Sequence, residues 1–175
     1  VGEPDFSTPK HIQDAGAYAI RHGYTKYTSG SGTYELKDAI IHKIQRDNNL
    51  QKYSHDNIIV SCGGKHSLYN ACQTLFQHND EVIIFSPYWV SFPDFISVTG
   101  AKPVIVKTLE NQQFEPDFID LESKISNNTK GIIINSPSNP TGGVWSDDAI
   151  LQVIEICKKK NIWIFSDECY EQLTY

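Results

Sequence analysis

A three-layer α/β/α fold, with a mostly parallel sheet and helices on both faces, is what this sequence predicts. Two observations carry that expectation. After residue 55, short apolar runs alternate with amphipathic stretches. The runs are largely β-branched or aromatic and bounded by polar or turn residues, as in strands buried on both faces. Strands that alternate with helices pair in parallel, because each helix carries the chain back across the sheet.

In chain order, helices are expected over residues 12–22 and 34–48. The Gly/Ser-rich stretch over 23–32 lies between them and suits a flexible linker or a binding loop. Strands are expected at 58–60, 82–85, 104–106, 132–134 and 162–165, with helices over 67–77, 91–99, 116–125 and 147–160. The last helix has clear ends. Ser146 is a candidate N-cap, Asp147 and Asp148 suit the positive end, and Lys158, Lys159 and Lys160 suit the negative end. The lysine run reads as a solvated helix terminus rather than a binding patch.

Composition narrows the function classes. A hydrophobic share of 39% over 175 residues fits a soluble globular protein with a core. The net charge of −6 gives no electrostatic reason to expect nucleic acid. No apolar run reaches membrane-spanning length, and no secretory leader is visible. The chain has no Met and starts at Val1, so it is read as trimmed at both ends. Cys62, Cys72, Cys157 and Cys169 form no CxxC pair, and the simplest setting is the reducing cytoplasm. The six histidines lack zinc-site spacing with the cysteines, so no metal is expected.

Two phosphate motifs fail. A P-loop needs glycine where Ile59 sits and Ser or Thr where His66 sits. A dinucleotide fingerprint starting at Gly30 finds Glu35 at its third glycine, with no strand before it. Gly63 and Gly64, followed by Lys65 opening a helix, stay open to two readings. They are an ordinary turn, or a helix N-terminus that offers free N–H groups to an anion. Asn135 to Gly142 (NSPSNPTG) and Ser166 to Glu171 (SDECYE) each follow a strand directly. Both lie at carboxyl ends of strands, where open α/β sheets bind ligands.

Taken together, VGEPDF, GGK after an expected strand, SPYWVSFPDF, SPSNPTG and SDECYE resemble the class I aminotransferases, in this chain order and at similar separations. The similarity covers essentially the whole chain, and it is nearest the branch with aspartate and prephenate aminotransferases. It implies the large domain of PLP-dependent transferase fold type I, here incomplete. Residues 1–10 would be an N-terminal arm or hinge, and 11–175 part of the large domain. It also implies pyridoxal 5′-phosphate (PLP) as cofactor, an L-amino acid and a 2-oxo acid as substrates, and a homodimer with shared active sites.

The resemblance assigns roles residue by residue. Asp167 would face the pyridine nitrogen, and Tyr170 and Asn139 the phenolic oxygen. Trp89 would stack on the ring. Gly63, Gly64 and the N–H of Lys65 would hold the phosphate, with Tyr27 reaching it across the dimer interface. Asn139, Trp89 and the backbone of Gly2 would touch substrate, and Lys65 would read the distal carboxylate of an acidic one. A surface lysine remains the other reading of Lys65. Pro140 would stiffen the Asn139 loop by fixing its own φ.

The family's Schiff-base lysine is expected further along, since none follows Lys160. Its phosphate and substrate arginines are expected there too, because neither Arg21 nor Arg46 matches. Ser138 replaces a common Asn and Cys169 a usually apolar residue. Lyase chemistry on the same scaffold and a non-catalytic regulatory domain are the alternatives.

Overall fold

The computed structural model describes residues 5–174. They form two compact units, one up to Ser61 and one from Cys62.

The first unit holds α1 (Lys10–Arg21) and α2 (Tyr34–Asn48). Thr33 caps α2 by accepting from the Leu36 N–H at 3.3 Å. The buried Lys37 ties this unit together. Its ammonium donates to Ser31 Oγ at 2.7 Å and to the His55 carbonyl at 3.1 Å. His55 in turn meets Asp38 at 2.7 Å and stacks on Tyr34. Residues 58–60 correct the expected strand. They join no ladder among the described residues; Val60 N–H reaches only the Ser31 carbonyl, at 3.0 Å. A β-branched run forms a strand only where a partner edge exists, and here Ile59 is exposed.

The second unit is a five-stranded sheet of β1 (Glu81–Ser86), β2 (Lys102–Leu109), β3 (Glu115–Pro116), β4 (Thr129–Asn135) and β5 (Trp163–Asp167). Strand order is β3-β2-β1-β4-β5, parallel throughout except for the β2–β3 pair. β3 takes the start of the expected 116–125 helix, because Pro116 suits an edge strand and Asp117 caps the helix only afterwards. The remaining elements are α3 (Gly64–Leu75), α4 (Phe92–Ser97), α5 (Phe118–Lys124) and α6 (Asp147–Lys160).

Side-chain alternation builds the three layers. Val82, Ile84 and Ile133 pack with Cys72 of α3, with Phe76 just beyond its end, and with Phe92 and Ile96 of α4. Ile83, Phe85, Ile132 and Ile134 face the other way, onto Leu121 of α5 and Ala149, Val153 and Cys157 of α6. Burial pushes the Cys72 and Cys157 thiols up to about 11, so both are neutral core groups at physiological pH.

This connectivity also fixes where a ligand belongs. From β1 the chain crosses to β2 through α4 on one face; from β4 it crosses to β5 through α6 on the other. The crossovers diverge between β1 and β4, making that gap the switch point of the sheet. Ligands of open α/β sheets bind at the carboxyl ends of such strands.

Candidate active site

The carboxyl edge of the sheet is reached by four pieces of sequence. At the end of β1, Trp89 is half-buried, with its ring edge-on to Phe92 at 5.5 Å between centroids. α3 leads into β1 through a short connection at 76–80, so the helix runs back and its N-terminus lies at the carboxyl edge. Lys65 shows this directly, since its ammonium lies 5.2 Å from the centroid of the Trp89 ring.

The glycines matter at that N-terminus. Gly63 adopts φ +82°, which favours a residue without Cβ, and open space lies where a Cβ would stand on Gly63 or Gly64. The Gly63 carbonyl takes the N–H groups of His66 and Ser67. Those of Gly64 and Lys65 carry no hydrogen bond among the described residues, as the first turn of a helix leaves them. Free N–H groups, a helix dipole and open space together make a cradle for an anion.

At the end of β4, the loop over 136–145 closes on itself. Ser138 N–H donates to the Gly143 carbonyl at 2.9 Å, Gly142 N–H to the Ser138 carbonyl at 2.8 Å, and Trp145 N–H to Ser136 Oγ at 3.0 Å. The Ser136–Pro137 and Asn139–Pro140 bonds are cis. Asn139 N–H donates to Asn135 Oδ1 at 2.8 Å, while the Asn139 carboxamide makes no hydrogen bond among the described residues. A recess lined by Pro87, Tyr88, Thr108, Asn135 and Ser138 lies between the ends of β1, β2 and β4.

β5 carries Asp167 as its last residue, in register with Asn135 of β4. No helix follows β5 among the described residues. Residues 169–172 form turns instead, closed by Glu171 N–H on the Glu168 carbonyl and Leu173 N–H on the Tyr170 carbonyl. Asp167 Oδ1 accepts from Cys169 N–H at 3.2 Å, so the carboxylate is held by its own turn rather than by a helix start.

Of the residues singled out from sequence, Gly63, Gly64, Lys65, Trp89, Asn139, Asp167 and Tyr170 thus lie along one sheet edge. Tyr27 is fully exposed and belongs to the other compact unit. Gly2 lies outside the described residues. Sequence reasoning missed Asn135 as a structural partner of two motifs, although it stands at the head of one of them.

The family model for aminotransferase classes I and II matches residues 1–175. The chain belongs to this family. Among aminotransferases, aspartate aminotransferase of Bacillus subtilis is 46% identical over 175 residues, covering 100% of this chain and 44% of the relative. Aspartate/prephenate aminotransferase of Nitrosomonas europaea is 43% identical over 174 residues, covering 99% of this chain and 44% of the relative. A double mutant of Thermus thermophilus aspartate aminotransferase superposes with TM-score 0.96 at 38% identity, over 100% of this chain and 46% of that one. The chain therefore spans less than half the length of these aminotransferases, and its fold is that of the fold type I large domain, in part.

Proposed function

We propose that this chain serves a PLP-dependent aminotransferase that moves an amino group between L-aspartate and a 2-oxo acid such as 2-oxoglutarate. The carrying observation is convergence: an anion cradle, an aromatic ring, an open carboxamide and a carboxylate stand along one sheet edge at its switch point. Each suits a different part of PLP. In this reading residues 1–10 are an arm and 11–175 part of the cofactor-binding domain of a cytoplasmic homodimer.

PLP, when bound, supplies an electron sink for the amino-acid α-carbon. Asp167 supplies the negative charge that keeps a pyridine nitrogen protonated. The N–H groups of Gly63, Gly64 and Lys65 bind a phosphate through the dipole of α3. Trp89 offers a flat apolar face that excludes water from one side of a ring. Asn139 and Tyr170 orient a phenolic oxygen as hydrogen-bond donors. Asn139 and Gly2 would hold the substrate α-carboxylate, and Tyr27 would serve the phosphate from the second subunit of a homodimer. Lys158, Lys159 and Lys160 cannot carry a proton at this site. α6 leads straight into the start of β5, which places its C-terminal end at the opposite edge of the sheet.

Lys65 is the acidic-substrate reader in this proposal. Its ammonium, steadied over Trp89, pairs with a distal carboxylate. The test uses the full-length protein loaded with PLP. Amino transfer from L-aspartate to 2-oxoglutarate is expected, and its absence at every protein concentration would sink the proposal. Lys65→Ala should raise KM for aspartate about 10- to 100-fold, the loss of a charged hydrogen bond, while leaving aromatic amino acids nearly unchanged. Equal losses on both substrate classes would return Lys65 to an ordinary surface residue.

A further inference from the structure

We infer that Asn135 is a positioning residue, and that its one carboxamide sets the spacing between Asn139 and Asp167. Asn135 closes β4 opposite Asp167 in the parallel register. Beyond it the chain turns away at Ser136 and Pro137, so the backbone ladder stops. The Asn135 side chain continues the pairing in its place. Nδ2 donates to the Asp167 carbonyl at 3.1 Å, and Oδ1 accepts from the Asn139 N–H at 2.8 Å.

The chemistry admits one orientation of this amide. Its two partners are a carbonyl, which only accepts, and an N–H, which only donates, so the nitrogen must face Asp167 and the oxygen Asn139. Few other side chains do both at this reach. Aspartate accepts but does not donate, serine is shorter, and glutamine is longer by one methylene. Both bonds go to backbone, so Asn135 acts on the site through the two residues it holds rather than by touching a ligand. It joins two motifs 32 residues apart in sequence, and their separation is what a ring bound between Asn139 and Asp167 would sense.

This inference rests on the proposed roles of Asn139 and Asp167, and its test separates the two. Four variants of the full-length protein are needed: Asn135→Ala, Asn135→Asp, Asp167→Ala and the Asn135→Ala/Asp167→Ala double variant. PLP affinity of the apo forms is read by fluorescence titration, with kcat and KM from steady-state assays. Asn135→Ala should weaken PLP binding and lower kcat, each about 10- to 100-fold, as loss of an outer partner of a site residue does. It should also raise KM for the amino acid. Asn135→Asp keeps the acceptor for Asn139 and sets a carboxylate against the Asp167 carbonyl. It should lower kcat comparably and leave KM near the parent value.

With Asp167 already removed, Asn135→Ala should cost less than about threefold more in kcat, because coupled residues are non-additive. Full additivity in the double variant would overturn the inference. So would Asn135 variants with parental PLP affinity and kcat beside a crippled Asp167→Ala. Near-parental kcat and PLP affinity in Asp167→Ala would instead remove the reading beneath it. If Asn135→Ala fails to fold, the near-isosteric Asn135→Asp still decides through its kcat and KM.

Discussion

The two edges of the sheet in the second unit are made of similar residues and put to opposite uses. At the amino edge, polar side chains are consumed by the fold. Asp80 accepts from Gln77 N–H at 2.9 Å, and its carbonyl takes Lys102 N–H at 2.8 Å. Ser126 donates to the Glu81 carboxylate, and the buried Thr129 accepts from Ser126 N–H at 2.9 Å. At the carboxyl edge the Asn139 carboxamide, the Tyr170 hydroxyl and the first N–H groups of α3 make no hydrogen bond among the described residues. Asn, Asp, Ser and Thr occur at both edges. A site is therefore marked by which polar groups the fold leaves over, and composition alone does not mark it.

The largest expected effect tests the carboxyl edge. Asp167→Ala should lower kcat by about 10²- to 10³-fold, the scale for losing a preorganised electrostatic partner. The far-ultraviolet circular dichroism should stay parental, since among the described residues the Asp167 carboxylate accepts only from the nearby Cys169 N–H. Near-parental turnover would place the electron-sink partner elsewhere.

Toward the amino edge the expected effect is on stability alone. Gly131 of β4 sits against the ring of Phe76, and a Cβ there would come within 2.4 Å of Phe76 Cζ. Phe76 is buried and packs on Phe165 at 5.2 Å between centroids, so its ring has little room to yield. Gly131→Ala should cost about 1–3 kcal/mol of overpacking. Chemical denaturation measures that loss, and kcat should change less than twofold. A large drop in kcat at parental stability would show the two edges to be coupled.

Much of this division was legible in the sequence. α2 and α6 begin and end at the expected residues because Thr33 and Ser146 cap them and Asn49 and Asn161 turn left-handed at their ends. The motifs at residues 139 and 167 stood out because each follows an expected strand directly, where an α/β sheet binds ligands, whereas the roles of Gly63 and Trp89 came from the resemblance to class I aminotransferases. What escaped depended on partners distant in sequence. Residues 58–60 look like a strand until the missing neighbour is considered. Nothing in the expected 34–48 helix singles out Lys37, yet it is buried and bonds to Ser31 and His55. Asn135 reads as the first residue of a turn, and only the β4–β5 register shows what its amide holds.

The smallest effect concerns the flank of the carboxyl edge, where openness ends. Asp120 of α5 accepts from the Lys124 ammonium at 2.7 Å and from the Lys107 N–H of β2 at 2.8 Å. The Lys124 hydrogen bond, and then the backbone N–H, hold its carboxyl below the usual aspartate range. A depressed folded value means that ionised Asp120 favours the folded state. That contribution is complete above the unfolded value of about 4 and is lost as pH falls through the folded one. Asp120→Asn should therefore lower Tm modestly at pH 6–7, with the gap to the parent closing as pH drops below about 4. Thermal scans from about pH 3 to 7 read the trend. A gap that stays constant with pH would assign the loss to altered hydrogen bonding of the amide. A fall in kcat with Asp120→Asn would extend the site beyond β1, β4 and β5, to a flank where the fold has already used its polar groups.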